Sequence, residues 1–306
     1  MKILVIGAGA VGGYFGGRLA QAGRDVTFLV RGRQADNIRK HGLHIVSPHG
    51  DATVHPKILL ANELSHAFDL ILLSVKGYGL QPAINDFAPA VGKATMILPV
   101  LNGMRHIDLL INRFGEEVVI GGVCLVSTEV DKDGRIVQLT ATQRLVYGEL
   151  RGGSSERMTH LDTVMQGAGF EARISEDITQ EMWQKWVQLS SLGAVTCLMR
   201  GSVGEVEAVP GGADTVNEIL RETSSIATAC GHPPREDFLG KVRNTLTTRG
   251  SNLTSSMYRD LVKGTHVEAD QIIGDLLDRG RLFGVEAPLL QAAYVNLKIY
   301  EGRLTA

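Results

Sequence analysis

Gly7-Ala8-Gly9-Ala10-Val11-Gly12 stands directly after the short apolar run Ile3–Ile6. Glycines at this spacing, between a strand and a helix, suit the binding of a pyrophosphate. Gly7 permits a tight turn, Gly9 lets the backbone approach the phosphates, and Gly12 lets helix and strand pack closely. The anion then meets the N–H groups at the helix start, so Gly7, Ala8, Gly9, Ala10, Val11 and Gly12 form the expected cofactor-binding loop. The end of the next strand selects the cofactor. A unit that binds NAD places Asp or Glu there for the ribose 2′-hydroxyl. Here Asp25–Arg31 runs into Arg31-Gly32-Arg33, with no carboxylate from Val26 to Ala35. A guanidinium pairs with a 2′-phosphate, so NADPH is the expected cofactor, with Arg31 on that phosphate. A solvated basic loop is the plain alternative.

Four further places carry side chains that could do chemistry. Lys76, after Ser74-Val75, and Asn102, in Leu101-Asn102-Gly103-Met104, each follow a buried apolar run. Ligands of doubly wound sheets bind at the carboxyl ends of the strands, which would put both residues beside the cofactor. A strand-end lysine and an Asn-Gly turn are the plain alternatives. Later come Lys185, inside Trp183-Gln184-Lys185-Trp186, and Ser255-Ser256-Met257 followed by Glu268. Lys185 lies four residues after Glu181, as in a helix-surface ion pair. Glu268 lies three after Thr265, as in a capping box. From these residues alone the chain reads as an NADPH-binding reductase with a helical second half.

The elements that must position these residues follow two rhythms. Apolar runs at Ile3–Ile6, Asp25–Arg31, Asp69–Val75 and Ala94–Leu101 alternate with helical spacing such as Val11–Ala22. This predicts a parallel sheet with helical crossovers. Val118–Glu149, rich in Val, Thr and Ile around Asp133-Gly134, predicts strands that extend the sheet, antiparallel at its edge. Glu171–Ser175 predicts a last strand. Beyond it, long helices are expected at Asp177–Arg200, Ala213–Cys230, Ser255–Arg281 and Pro288–Tyr300. The expected fold is thus α/β: a Rossmann-type doubly wound domain over 1–174 and an all-helical domain over 175–306.

The ordered set GAGAVGG, SVK, LNGM, WQKW and SSMYRD followed by Glu268 resembles the ketopantoate reductase (2-dehydropantoate 2-reductase) family over nearly the whole chain. The resemblance implies NADPH-dependent reduction of 2-dehydropantoate to pantoate, a step of pantothenate biosynthesis. It implies that Lys76, Asn102 and Glu268 contact the cofactor, with Asn102, Lys185 and Ser256 on the substrate. Lys185 then matches the proton donor, and Glu268 is the acid near it, making these two the catalytic pair. The family carries asparagines four and eight residues after this lysine and three before the serine. This chain has Leu189, Gly193 and Leu253 there, with Asn252 one position off. Such a pocket leaves a hydroxylated substrate short of partners. The alternatives are therefore a D-2-hydroxy acid dehydrogenase acting on a more apolar branched or aromatic 2-oxo acid, and a non-catalytic NADPH-binding regulator.

Composition narrows the classes further. The chain has 306 residues, 44% of them hydrophobic, which suits two domains with a sizeable core. With 31 Lys and Arg against 33 Asp and Glu, no basic field recruits nucleic acid or a membrane surface. Three scattered cysteines, Cys124, Cys197 and Cys230, lack metal-ligand spacing and suit a cytoplasmic enzyme. No metal is expected. The expected partner is a small 2-oxo acid, and a homodimer is compatible with this reading.

Overall fold

The computed structural model describes residues 1–304 and divides into two compact units. The first comprises Met1–Leu101 and His106–Thr179. The second comprises Asn102–Arg105 and the chain from Gln180 onward.

The first unit is built on a parallel sheet. Its strands are β1 (Lys2–Ile6), β2 (Asp25–Leu29), β5 (Lys57–Leu59), β6 (Leu70–Leu73) and β7 (Met96–Pro99), in the order β5-β2-β1-β6-β7. Apart from its first residue β1 is buried, and β6 and β7 are buried throughout, which is why they read as continuous apolar runs. The order reverses direction beside β1: β2 pairs with one edge and β6 with the other. This is a topological switch point, and it opens at the carboxyl ends Ile6 and Leu73. Helices α1 (Ala10–Gln21), α2 (Gly32–His41) and α3 (Leu80–Phe87) belong to this alternation.

The strands after β7 do not extend this sheet. β3 (Leu43–Val46), β4 (Ala52–Val54), β8 (Ile120–Val130), β9 (Ile136–Glu149) and β10 (Glu171–Ile174) form a second sheet, in which β8 and β9 pair antiparallel. An isolated parallel bridge joins Ile97 in β7 to Val119, just before β8. β7 is four residues long and ends in Pro99, which has no N–H to carry a ladder further. The hairpin turns at Asp131–Gly134, where Asp131 accepts the N–H groups of Asp133 and Arg135. Helix α4 (Arg105–Phe114) lies between β7 and β8 in the chain, and α5 (Glu156–Met165) between β9 and β10.

The second unit is helical. Its elements are α6 (Ile178–Met199), α7 (Val203–Glu207), α8 (Gly212–Ala229), α9 (Glu236–Leu246), α10 (Ser256–Val262), α11 (Asp275–Leu282) and α12 (Pro288–Leu304). The single helix expected over Ser255–Arg281 is broken. α10 stops at Val262, Gly264 takes φ +70°, and a π-helical turn at Asp270–Gly274 leads into α11. Glu222 on α8 is fully buried, and its carboxylate accepts the N–H groups of Leu289 and Leu290, capping α12. Among the described residues no helix is long and apolar enough to cross a membrane.

Candidate active site

The glycine loop is held from behind and open in front. Gly7 has φ +86°, and its N–H donates to Leu29 O at 3.1 Å. Gly12 sits so close to β6 that a Cβ there would lie 1.9 Å from Ser74 Oγ and 2.4 Å from Gly7 O. Ser74 Oγ donates to Ile6 O at 2.9 Å and to Gly7 O at 3.2 Å, and Gln34 Nε2 donates to Ala8 O at 2.9 Å. Gly9 caps α1, and a Cβ built on it would meet no protein atom within 4 Å. The first-turn N–H groups of α1, at Ala10 and Val11, have no acceptor within their own helix. This cradle fits the pyrophosphate of a nicotinamide dinucleotide. The sequence patterning marked the glycines, while the supporting roles of Ser74 and Gln34 came only with the structure.

Arg31 caps α2 at the end of β2 and is exposed, as is Arg33. The first turn of α2 holds no acidic residue. Lys76 follows β6 in extended conformation and opens a short 3-10 turn at Gly77–Gly79. The structure thus gathers Gly7, Ala8, Gly9, Ala10, Val11, Gly12, Arg31 and Lys76 in the first unit, at the carboxyl end of its sheet.

Asn102, Lys185, Ser256 and Glu268 all lie in the second unit. Lys185 is half-buried on α6 between Trp183 and Trp186, both buried. Trp183 stacks on His232, and the Arg279 guanidinium lies 5.8 Å and 5.5 Å from the Trp183 and Trp186 ring centres. Trp186 Nε1 donates to Ile272 O at 2.8 Å, inside the π-helical turn that follows Glu268. A π-turn frees backbone carbonyls from the regular ladder, and here an indole satisfies one. Glu268 is itself buried. The loop carrying Asn102 meets the same turn: Gly103 has φ +80°, and a Cβ there would lie 2.4 Å from Gln271 O. The turn Asp270–Gly274 therefore ties together the segments that carry Asn102, Lys185 and Glu268. At its edge burial pushes the Asp270 carboxyl up, but hydrogen bonds from Tyr294 and Lys298 outweigh it and hold the carboxyl low. Neither the π-turn nor its indole partner leaves a mark in a one-dimensional pattern.

Ser256 begins α10, which is docked on α6. Ser255 Oγ accepts the N–H of Tyr258 at 2.9 Å and shares a hydrogen bond with Thr196 Oγ1 at 2.8 Å. Leu189 is half-buried and Gly193 buried, on the same face of α6 as Lys185. Leu253 is more than a third exposed, and its backbone pairs with Val203 and Ser251. Cys197 is buried beside this cluster, and burial pushes its thiol up to about 11, which keeps it from acting as a thiolate.

Two family models match the chain: ketopantoate reductase PanE/ApbA over residues 3–152 and its C-terminal partner over residues 177–301. The uncharacterized oxidoreductase YkpB of Bacillus subtilis is 34% identical over 301 residues, 98% of this chain and 99% of its own. The crystal structure of 2-dehydropantoate 2-reductase from Methylococcus capsulatus is 28% identical with a TM-score of 0.88, covering 100% of this chain and 98% of its own. A ternary structure of D-mandelate dehydrogenase with NADH and anilino(oxo)acetate has a TM-score of 0.88 at 22% identity, over the full length of both chains. That likeness is one of fold.

Proposed function

Since the chain belongs to the ketopantoate reductase family and is an oxidoreductase, we propose that it reduces a 2-oxo acid to the 2-hydroxy acid with NADPH. The observation that supports this reading is the bond from Trp186 Nε1 to Ile272 O, which joins the helix carrying Lys185 to the turn that follows Glu268. When bound, the dinucleotide supplies a hydride to the carbonyl carbon. Negative charge then develops on the carbonyl oxygen. The Lys185 ammonium stabilises that charge and gives up its proton to form the hydroxyl. Asn102 and Ser256 hold and orient the substrate. Glu268, on the segment that runs into the π-turn, is the acid that the family resemblance sets beside this lysine. The glycine loop, Lys76 and Arg31 hold the cofactor. NADPH oxidation by the purified protein across a panel of 2-oxo acids tests the proposal, and inertness toward all of them would sink it.

The choice of NADPH rests on Arg31 and on the missing acid at the end of β2. Arg31→Ala is expected to raise the Kd for NADPH by about 10- to 150-fold, as for a lost charged hydrogen bond. NADH affinity should stay nearly unchanged, because only the 2′-phosphate contact is removed. Titration of both cofactors checks this, and equal losses would take the 2′-phosphate away from Arg31.

The family substrate, 2-dehydropantoate, is the first reading. A second reading, a more apolar 2-oxo acid, is favoured by Leu189, which stands half-buried one turn from Lys185 where the family has an amide. An unpaired buried hydroxyl costs roughly 1–3 kcal/mol, or about 5- to 150-fold in specificity. The ratio of kcat/KM for ketopantoate over 2-oxoisovalerate is therefore expected to be small for this family, and Leu189→Asn should raise it. A native preference for ketopantoate above about 1,000-fold would show that other groups bind the hydroxyl.

A further inference from the structure

Gly193 and Met257 lie 64 positions apart in the chain and meet between α6 and α10. A Cβ built on Gly193 would sit 2.7 Å from the Met257 methyl carbon, Cε, so the methionine occupies the space a side chain at 193 would need. Both residues are buried, Met257 being 2% exposed. α10 is pinned there from both sides. Ser255 shares its hydroxyl with Thr196, and the Tyr258 hydroxyl donates to Arg200 O at 3.0 Å. The first turn of α10 therefore drives Met257 into the gap on α6, immediately after Ser256.

We infer that Met257, seated in the space left by Gly193, is a specificity-determining residue that selects 2-oxo acids with an apolar, hydroxyl-free side chain. This rests on the proposed 2-oxo acid reduction at Lys185. Leu189 and Gly193 follow Lys185 on one face of α6 at successive turns, so Gly193 lies about 12 Å from the lysine along the helix axis. Those are the two positions where the family resemblance expects amides. At 189 an isobutyl group replaces the amide. At 193 the amide is missing, and a thioether from another helix fills its place. A thioether is a weak acceptor and no donor, so a hydroxyl set against it stays unpaired. It is also polarizable and favours methyl or aromatic neighbours. The pair is interlocked: an amide returned at 193 must first displace the methionine methyl.

Interlocking predicts a non-additive result. The kcat/KM ratio, ketopantoate over 2-oxoisovalerate, is measured for the native chain, Gly193→Asn, Met257→Ala and the double variant. The double variant should raise the ratio at least about 10-fold beyond the product of the two single effects, as for residues in contact. Additivity within about 2-fold in an enzyme active on 2-oxo acids overturns the inference alone. Inactivity of the native chain toward every 2-oxo acid overturns the function on which it rests. Should a variant fail to fold, methionine methyl NMR of the native protein decides. The Met257 signal, assigned through the volume-conserving Met257→Leu, should move when 2-oxoisovalerate is added to the NADP⁺ complex. A signal that stays in place as the ligand saturates removes Met257 from the pocket.

Discussion

Lys185→Ala is expected to lower kcat for 2-oxo acid reduction by at least ~100-fold, the low end for losing a positioned general acid. That corresponds to about 2.7 kcal/mol of transition-state stabilisation. The loss should fall on kcat more than on cofactor affinity, because the amine acts on the oxygen only as charge develops there. The melting temperature should change little. The local turn of α6 is held by Trp183 on His232, by Trp186 on Ile272 O and by Arg279 over both rings, none of which involves the lysine. Lys185→Arg separates the two roles of the ammonium. A guanidinium keeps the positive charge but does not give up a proton near neutral pH. It should recover part of the oxyanion stabilisation and none of the proton transfer. Steady-state kinetics with a saturating 2-oxo acid settle the matter. Near-native turnover in Lys185→Ala would reduce this residue to a helix-surface partner of Glu181.

The parts of the molecule that were legible in the sequence share one property: their physics is local. β1, β6 and β7 are buried on both faces, so their apolar runs betray them directly. The glycine turn is legible because Gly7 needs a positive φ and Gly12 must touch β6, and both demands exclude side chains. β3, β4 and β5 are three or four residues long and only partly buried, too short to show a period. The second sheet is decided by what pairs with β9 from distant parts of the chain, which alternation within one strand does not encode. The helix expected over Ser255–Arg281 shows the opposite failure. Its apolar spacing continues across Gly264, but φ +70° there ends the helix whatever the pattern says. The site divides in the same way. Lys185, Ser256 and Glu268 stand out in the sequence as an ordered set that the resemblance assigns to the candidate site. The indole that holds the π-turn and the methionine that fills the gap at Gly193 depend on contacts across 86 and 64 positions.

Gly9 and Gly12 are three residues apart, yet alanine at each should fail for a different reason. At Gly12 the obstacle is the protein itself. An added Cβ would lie 1.9 Å from Ser74 Oγ, 2.9 Å from Ser74 Cβ and 2.4 Å from Gly7 O. Turning the serine hydroxyl relieves the first contact but neither of the others, so the start of α1 must move off the sheet. Overpacking of this kind costs about 1–3 kcal/mol and should lower Tm by roughly 2–8 °C. The loop moves with the helix, and NADPH affinity should fall by at least ~100-fold, or about 2.7 kcal/mol. At Gly9 the backbone stands at φ −79°, ψ −167°, which alanine adopts freely, and the added methyl meets no protein atom within 4 Å. The fold should accept Gly9→Ala with a net change within about 1 kcal/mol, because alanine caps a helix less well than glycine but leaves the unfolded chain less freedom. The methyl would instead stand where the pyrophosphate approaches the first-turn N–H groups. Losing even one charged hydrogen bond there costs about 1.5–3 kcal/mol, so NADPH should bind at least ~10-fold more weakly. Thermal melts and cofactor titrations on the two variants read stability and binding separately. Native-like NADPH affinity in Gly9→Ala would mean that the open face of the loop is not where the phosphates lie, and the cofactor reading of the glycine motif would fail with it.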